Sequence, residues 1–175
     1  MIQLGPYIPA AAPLFTFTLS IQAGDLRQHW ERCNMLANYV AGYVAFQFPE
    51  REWAENLIST VTNELLEALV LLAPDASDVA FTVRQYADIL ELQLSHHLRS
   101  ELASAYAAFL AELQGKEDDR YLEQLRHAER PDPGFNQLGL LMLAHDFHAR
   151  FSAYRESSVA PIIVVVSIPT TEIAA

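Results

Sequence analysis

Two glutamates near the middle of the sequence are spaced for proton chemistry. Glu64 and Glu67 lie three residues apart in a segment with helical spacing, so both carboxyl groups emerge on the same side of a helix. A pair of this kind can act as general acid and general base. The sequence shows no nucleophile or substrate-binding motif beside the pair. The alternative interpretation is therefore the solvated edge of an otherwise buried helix.

A second group of residues has metal-binding side chains. His145 and His148 are three residues apart in a predicted helix, and a third ligand could come from Glu101 or the His96-His97 pair. The chain contains neither an H-E-x-x-H pattern nor a Cys/His spacing typical of zinc sites. The competing interpretation is an exposed helix that carries ordinary polar residues.

A third candidate is the segment G-F-N-Q-L-G-L-L, residues 134–141, which leads into a predicted helix. The N-terminal amides of a helix attract anions such as phosphate, and a glycine there lets a ligand approach the backbone. The run R-P-D-P-G, residues 130–134, breaks regular structure just before it. A single glycine such as Gly139 at a helix start does not define a phosphate site by itself.

Local patterns predict the elements that must position these residues. Alternation and β-favouring composition predict strands at residues 14–19, 79–86, 89–94, 151–156 and 162–168. Apolar residues at helical spacing predict helices at residues 25–46, with Asp25 as N-cap, and at residues 49–72, 98–114, 116–128 and 137–150. The nearly continuous Ile and Val content of residues 162–168 predicts a central, buried strand.

Composition narrows the class of protein. A chain of 175 residues that is 51% hydrophobic and 19% charged is expected to form a single folded domain, with its core at about residues 14–169. The net charge of −11 argues against binding to nucleic acid or to an anionic membrane surface. Cys33 is the only cysteine, so no intramolecular disulfide can form. With no signal-peptide pattern and no apolar stretch of about 20 residues, a cytoplasmic location is expected.

The predicted order β-α-α-β-β-(α-α)-α-β-β resembles the ATP-binding domain of the histidine-kinase-like ATPases, the GHKL or Bergerat-fold superfamily that includes gyrase, sensor histidine kinases and anti-sigma serine kinases. The run N-E-L-L-E-A, residues 63–68, is similar to the family's Glu-x-x-x-Asn box, and residues 134–141 are similar to its G-x-G-L-G-L box. Small stand-alone bacterial regulators of the anti-sigma-factor type are similar in organisation. The resemblance implies an α/β fold, an α+β two-layer sandwich whose mixed, mostly antiparallel sheet carries helices on one face.

The resemblance also implies roles for particular residues. Glu64 would polarise the water that attacks ATP. Contacts to ATP or its Mg²⁺ would come from Asn63, Glu67, Ser95, Gly134, Asn136, Gln137 and Gly139.

Several positions depart from the family pattern. Ala68 stands where the Mg²⁺-binding asparagine belongs, and Ser95, followed by two histidines, stands roughly where an adenine-binding aspartate and glycines belong. Gln137 replaces a further glycine. Losing one charge-assisted hydrogen bond costs roughly 1.5–3 kcal/mol. These departures predict that nucleotide binding is weakened or lost.

An excess of apolar residues on the first two long helices predicts an interface. The second helix is apolar nearly all round from Leu65 to Leu72. The end of the first helix carries four aromatic residues, Tyr39, Tyr43, Phe46 and Phe48. One sheet covers only one side of a helical layer, so we expect a homodimer or a partner protein on the other side. The alternative is that the helices and the N-terminal segment cover each other.

Together these patterns predict a bacterial signalling regulator that binds another signalling protein, such as a sigma factor or an anti-sigma antagonist, and that has no resident cofactor. One alternative is an active serine kinase of the anti-sigma type that binds ATP and Mg²⁺. A second alternative is a small-molecule or metal-binding enzyme that uses the His145 and His148 helix. Whether residues 95–130 close as a lid over a nucleotide stays open at this point.

Overall fold

A six-stranded sheet with helices packed on it forms the core of the protein. The computed structural model describes residues 2–4, 12–112, 134–157 and 159–174. Its strands are β1 (Ile2–Leu4), β2 (Phe15–Gln22), β3 (Asp78–Gln85), β4 (Ile89–His96), β5 (Arg150–Arg155) and β6 (Ile162–Pro169). Its helices are α1 (Ala23–Gln28), α2 (Glu31–Val44), α3 (Arg51–Leu72), α4 (Ala103–Glu112), α5 (Gln137–Asp146) and α6 (Thr170–Ile173), with a 3₁₀ turn at Ala45–Gln47.

The strands lie in the order β1-β5-β6-β4-β3-β2, and each of the pairings between the described strands is antiparallel. Strand β6 lies between β4 and β5, which confirms the central position predicted from its Ile and Val content. The α+β sandwich expected from the sequence is therefore confirmed.

Alternation along the strands separates the two faces of the sheet. In β3, Val79, Phe81 and Val83 are buried against the helices, and Arg84 lies on the opposite face. In β2, every second residue from Phe15 to Ile21 is half-buried, while the residues between them are exposed. This period of two assigns the apolar residues of each strand to one layer.

Helix α3 lies at the centre of the helical layer. Half of its 22 residues are buried, including four between Leu65 and Leu69 that point in different directions around the helix. Its neighbours are α2, the 3₁₀ turn, α5, α1 and α6. A helix with apolar residues nearly all round is stable when it is covered on most sides.

The ends of several helices differ from the sequence-based expectation. The helix expected from Asp25 to Phe46 is two helices, because the chain turns at His29 and Trp30 and Asp25 lies inside α1 instead of capping it. Asp25 accepts a hydrogen bond from Arg32 across this turn. Contacts outside the helix explain the turn: the backbone N–H of Gly24 donates to the Asp75 carbonyl at 3.0 Å, which ties α1 to the segment after α3.

Two other helices are shorter than expected. Helix α5 ends at Asp146, and Arg150 already belongs to β5. The reversal between them is tight: His148 has a φ of 48°, and the N–H of Ala149 donates to the Leu143 carbonyl at 3.2 Å. Helix α4 begins at Ala103 instead of residue 98. The expected helix at residues 116–128 and the breaker at residues 130–133 lie outside the described residues, as does the second half of the lid segment, residues 113–130.

A polar network lies on the face of the sheet opposite the helices. The guanidinium of Arg84 donates to Glu91 at 3.0 Å and to Gln93 at 2.7 Å. Glu91 is only 6% exposed. A buried carboxylate needs such a partner, because an unpaired charge there is strongly destabilising.

We therefore expect Arg84→Met to lower the free energy of unfolding by about 1–3 kcal/mol, since it leaves the Glu91 carboxylate without its cation. Glu91→Gln is the matched control: it keeps an acceptor for Arg84, whose side chain is 25% exposed and reaches water. Its cost is expected to stay below about 1 kcal/mol. Urea denaturation measures both. Equal losses in the two variants would contradict the role given to Glu91.

Candidate functional site

Glu64 and the glycine-containing segment come together, although 72 positions separate Glu64 from Asn136 in the sequence. The side-chain amide of Asn136 donates to Glu64 Oε2 at 2.8 Å, and its Oδ1 accepts from the backbone N–H of Gly139 at 2.9 Å. Asn136 is the N-cap residue of α5, so one side chain satisfies the start of α5 and also holds α3. The two motifs singled out in the sequence thus form one site.

Gly139 lies where the side chain of Glu64 in α3 reaches α5. It is the third residue of α5 and is buried. A Cβ atom at this position would lie 1.9 Å from Glu64 Oε2 and 2.5 Å from Asn136 Nδ2. A larger residue here would force the ends of the Glu64 and Asn136 side chains to move, so glycine allows their hydrogen bond to lie against α5.

The second carboxylate of the pair has a different partner. The side-chain amide of Asn63 donates to Glu67 Oε1 at 2.8 Å, so Asn63 is directed to Glu67 and away from Glu64. Burial, helped by the charge of Glu67, raises the pKa of Glu64, and the hydrogen bond from Asn136 offsets only part of this effect. Glu64 is therefore a carboxyl group whose charged form is disfavoured, which is the property of a general base or acid.

The rest of the glycine segment is held by its own contacts. Gly134 has a φ of +102°, a conformation that favours glycine, and a Cβ there would lie 3.2 Å from Leu102. The backbone N–H of Gln137 donates to the carbonyl of Phe135 at 2.8 Å. Two of the amides that a phosphate would use, those of Gln137 and Gly139, therefore already have acceptors.

Ser95 is not part of this site. It lies within β4, paired with Ala80 and Ile163, and faces away from the helical layer. The residue at the end of β4 that faces the helices is His96, which is buried and hydrogen-bonds through Nδ1 to the carbonyl of His97 at 2.9 Å. Burial lowers the pKa of His96 to about 4, so its ring is neutral near neutral pH. The expectation that Ser95 stands in an adenine position therefore conflicts with its orientation.

Aromatic rings fill the space between the end of β4 and the start of α5. The ring of Tyr106 lies 6.5 Å from that of His96 and 5.3 Å from that of Phe135, and Phe109 lies 5.4 Å from Phe135. Phe135 is fully buried. Sequence reasoning missed this cluster. The available signal was Phe135 itself, a large apolar residue placed between Gly134 and Asn136.

These contacts do not fit Mg²⁺-ATP. Ala68, which the resemblance would place at the position of a metal-binding asparagine, is buried in the core and offers no ligand atom. Asn63 Oδ1 and Thr62 Oγ1 are buried oxygens without a hydrogen-bond partner in the described part of the chain. Glu64 and Glu67 each accept from a side-chain amide, so Mg²⁺ would have to displace these two hydrogen bonds.

The histidines proposed as metal ligands do not share a helix. His145 Nδ1 lies 2.6 Å from the carboxylate of its neighbour Asp146, while His148, beyond the end of α5, lies 3.3 Å from Glu172. Glu101 accepts a hydrogen bond from Ser100. Within the described ranges, no group of three or more His, Cys, Asp or Glu side chains is arranged to hold a metal ion.

Ser95 instead lines an open groove of about 820 Å³ at one end of the sheet. The groove combines hydroxyl groups, one acid and one guanidinium; the polar residues lining it are Ser20, Ser77, Asp78, Ser95, His97 and Arg155. Arg155 donates through Nε to the Ala160 carbonyl at 2.7 Å. This groove lies apart from the Glu64 site, so the two do not form one pocket.

Comparison with known proteins adds no assignment. No model of a known protein family matches the chain, and no curated protein matches it in sequence. In the residues that the structure covers, no helix is both long enough and apolar enough to cross a membrane.

Gly139→Ala is expected to lower the free energy of unfolding by about 1–2 kcal/mol, after the gain in helix propensity of about 0.5–1 kcal/mol is subtracted. The new methyl group displaces Glu64 and Asn136, which costs the charge-assisted hydrogen bond and the N-cap of α5. Gly42→Ala is the matched control, because a Cβ there meets only Glu55 at 3.7 Å in mid-helix. It should stabilise the protein by about 0.5–1 kcal/mol. A neutral Gly139→Ala variant in the same denaturation experiment would refute the close contact.

Glu64→Gln tests the raised pKa. The folded-state pKa of Glu64 lies above the ordinary value of 4.5, so the folded chain binds a proton at this carboxyl more tightly than the unfolded chain does. This proton binding stabilises the folded state below pH 4.5. The stabilisation is lost as pH rises from 4.5 through the folded-state pKa. Gln keeps an acceptor for Asn136 and carries no charge.

We therefore expect Glu64→Gln to have a higher urea midpoint than the unmodified chain at pH 7–8, with the difference disappearing toward pH 4.5. Glu67→Gln is the control: it removes the repulsion and leaves the burial of Glu64, so its gain should be smaller. A Glu64→Gln variant that is less stable at pH 8 would mean that the carboxylate is favoured in the folded protein.

Proposed function

We propose that this chain is a bacterial signalling regulator that acts by binding another protein and does not depend on ATP turnover. The observation that carries the proposal is the closed contact of Glu64, Asn136 and Gly139. In a histidine-kinase-like ATPase, which the chain resembles, the equivalent residues would face a nucleotide. Here their hydrogen-bonding groups are directed to each other.

Three further features support loss of nucleotide binding. Ala68 takes the Mg²⁺-ligand position, Ser95 faces the other side of the sheet, and the ring of Phe135 fills the space beside the glycine segment. Each lost charge-assisted hydrogen bond weakens binding by roughly ten- to a hundredfold. Insertion of a base would also have to separate the packed rings of Tyr106, Phe109 and Phe135, which costs buried apolar contact.

The interaction half of the proposal rests on exposed apolar side chains. Of the four aromatic residues noted at the end of the first helix, Tyr39, Tyr43 and Phe46 are exposed, and Phe48 is buried. A cytoplasmic signalling protein such as a sigma factor or an anti-sigma antagonist is the class of partner that the resemblance implies. The net charge of −11 disfavours nucleic acid and anionic membranes as partners.

A second candidate is an ATP-binding serine kinase of the anti-sigma type. One observation favours it: the fold places Glu64 against the glycine segment and raises its pKa, as a catalytic base requires. For this function Asn136 would have to release Glu64, and the ring cluster would have to open.

Calorimetric titration with ATP and with ADP, each with and without Mg²⁺, separates the two candidates. We expect no binding heat and no shift in melting temperature at millimolar nucleotide. The companion assay is ATP turnover by the unmodified chain, by Glu64→Gln and by the control Glu67→Gln. Micromolar affinity, or turnover that Glu64→Gln abolishes and Glu67→Gln preserves, would overturn the proposal and establish the kinase.

A further inference from the structure

Helix α2 carries an exposed apolar stripe along its length. We define the α2 stripe as Met35, Tyr39, Tyr43 and Phe46, which are 66%, 59%, 51% and 66% exposed. Their spacing of four, four and three residues places them in one line along the helix and its 3₁₀ extension. Contiguous exposed apolar side chains of this size mark an interaction surface.

The stripe is continuous with the edge of the sheet. Strand β2 is the last strand in the sheet order, and in the described part of the chain no strand pairs with its outer side. The ring of Tyr43 lies 5.5 Å from Phe15 and 5.9 Å from Phe17, and that of Tyr39 lies 6.1 Å from Phe17. Helix and strand therefore present one surface.

Strand β2 lacks the features that block edge pairing. Its sequence F-T-F-T-L-S-I-Q contains no charge, no proline and no glycine over eight residues. Each residue of β2 from Phe15 to Gln22 pairs with one residue of β3, so the strand contains no bulge. A long, regular and uncharged edge strand is a template for another strand, and natural edges usually carry Lys, Pro or a bulge to prevent this.

We propose that a second copy of this chain occupies this surface, with the two β2 strands paired antiparallel about a two-fold axis and the two α2 stripes packed across it. The inference rests on the proposal that this protein acts by binding another protein molecule. It does not depend on whether nucleotide binding is lost.

The area of the surface suits a dimer. At roughly 150–250 Å² for a large side chain, the exposed portions of the four stripe residues supply roughly 400–600 Å² per chain. The outer side of β2 and Leu14, which is 72% exposed, add to this. A standard interface buries about 800 Å² per partner.

Self-pairing of β2 is also chemically consistent. Antiparallel pairing about a two-fold axis places residues of the same face opposite each other. An axis at Thr18 pairs Thr16 with Ser20, and an axis at Leu19 pairs Phe17 with Ile21. Neither arrangement places like charges opposite each other, although each copy carries a net charge of −11. A strongly basic partner would be attracted by acidic residues, and the four residues of the α2 stripe are uncharged.

Sedimentation of the full chain without nucleotide tests the proposal. We expect a particle of twice the 19.6 kDa chain mass at micromolar concentration. Its dissociation constant should fall at higher salt, because salt screens the repulsion between two acidic copies and leaves an apolar interface intact. A monomer at all concentrations up to 100 μM, roughly a hundredfold above the micromolar range of transient interfaces, would overturn the proposal and leave the surface to a different protein.

Two substitution sets localise the interface. Met35→Lys with Tyr39→Lys places charge on the α2 stripe. Thr18→Glu places charge on β2, where an axis at Thr18 sets two carboxylates opposite each other. Each is expected to weaken dimerisation at least tenfold while the circular dichroism spectrum is unchanged. Val159→Lys is the control, since Val159 is 81% exposed and lines the groove beside Ser95. A dimer that resists both sets, or that Val159→Lys dissociates, would place the interface elsewhere.

Cross-linking reports the register directly. Cys33 is the only cysteine, and burial raises its pKa to about 11, so it does not compete. Single Thr18→Cys and Leu19→Cys variants each place one thiol on β2. Only the residue on a two-fold axis faces its own copy, so Thr18→Cys should form a covalent dimer under mild oxidation with the axis at Thr18, and Leu19→Cys with the axis at Leu19. Failure of both variants in a dimeric protein would rule out the two proposed registers of β2.

Calorimetry on the Met35→Lys, Tyr39→Lys variant keeps the two proposals distinguishable. Loss of the dimer with no nucleotide binding supports both. If the unmodified protein dimerises through β2 and also binds nucleotide, the dimer proposal stands and only the proposed loss of nucleotide binding is refuted.

Discussion

The burial of α3 is the constraint on which the rest of the structure depends. A 22-residue helix with apolar residues on most sides must be covered by the sheet below it and by α2, α5 and α6 around it. Its C-terminal end is also enclosed, so the last carbonyls need partners. Arg27 and Arg99 provide them, donating to the Ala73 carbonyl at 2.8 and 3.2 Å. Arg27, Arg99 and Arg84, three of the 11 Lys and Arg residues of the chain, therefore make contacts that stabilise the fold.

The same constraint shapes the candidate site. Covering α3 brings α5 so close that a side chain at residue 139 would collide with Glu64. Asn136 then satisfies both the start of α5 and the carboxylate of α3. Residues that the proposed resemblance assigns to nucleotide binding are here the contacts of a tightly packed helix pair. The rings of Phe135, Tyr106 and Phe109 pack together beside them.

Much of the architecture could be predicted from local patterns, and the exceptions have a common cause. Strands β3, β4 and β6 follow from alternation and from a run of Ile and Val, because those signals lie within a few residues of each other. The break at His29, the end of α5 at Asp146 and the orientation of Ser95 depend on contacts with distant segments or on strand register. Glu64 and Gly139 could be singled out by motif, whereas their mutual contact could not. The ring cluster brings Phe135 onto Tyr106 and Phe109, which lie in α4, and leaves no periodic signal.

The central position of β6 bears on how the chain is synthesised. Strand β4 is complete by residue 96, yet its partner β6 begins at residue 162. A ribosome adding about 5–20 residues per second therefore exposes one edge of β4 for several seconds before the middle of the sheet can close. During that interval the nascent chain presents Leu92 and Leu94 beside unpaired backbone groups. An unpaired strand edge of this kind can pair with other chains, so the sheet is most open to aggregation before residues 162–169 are added.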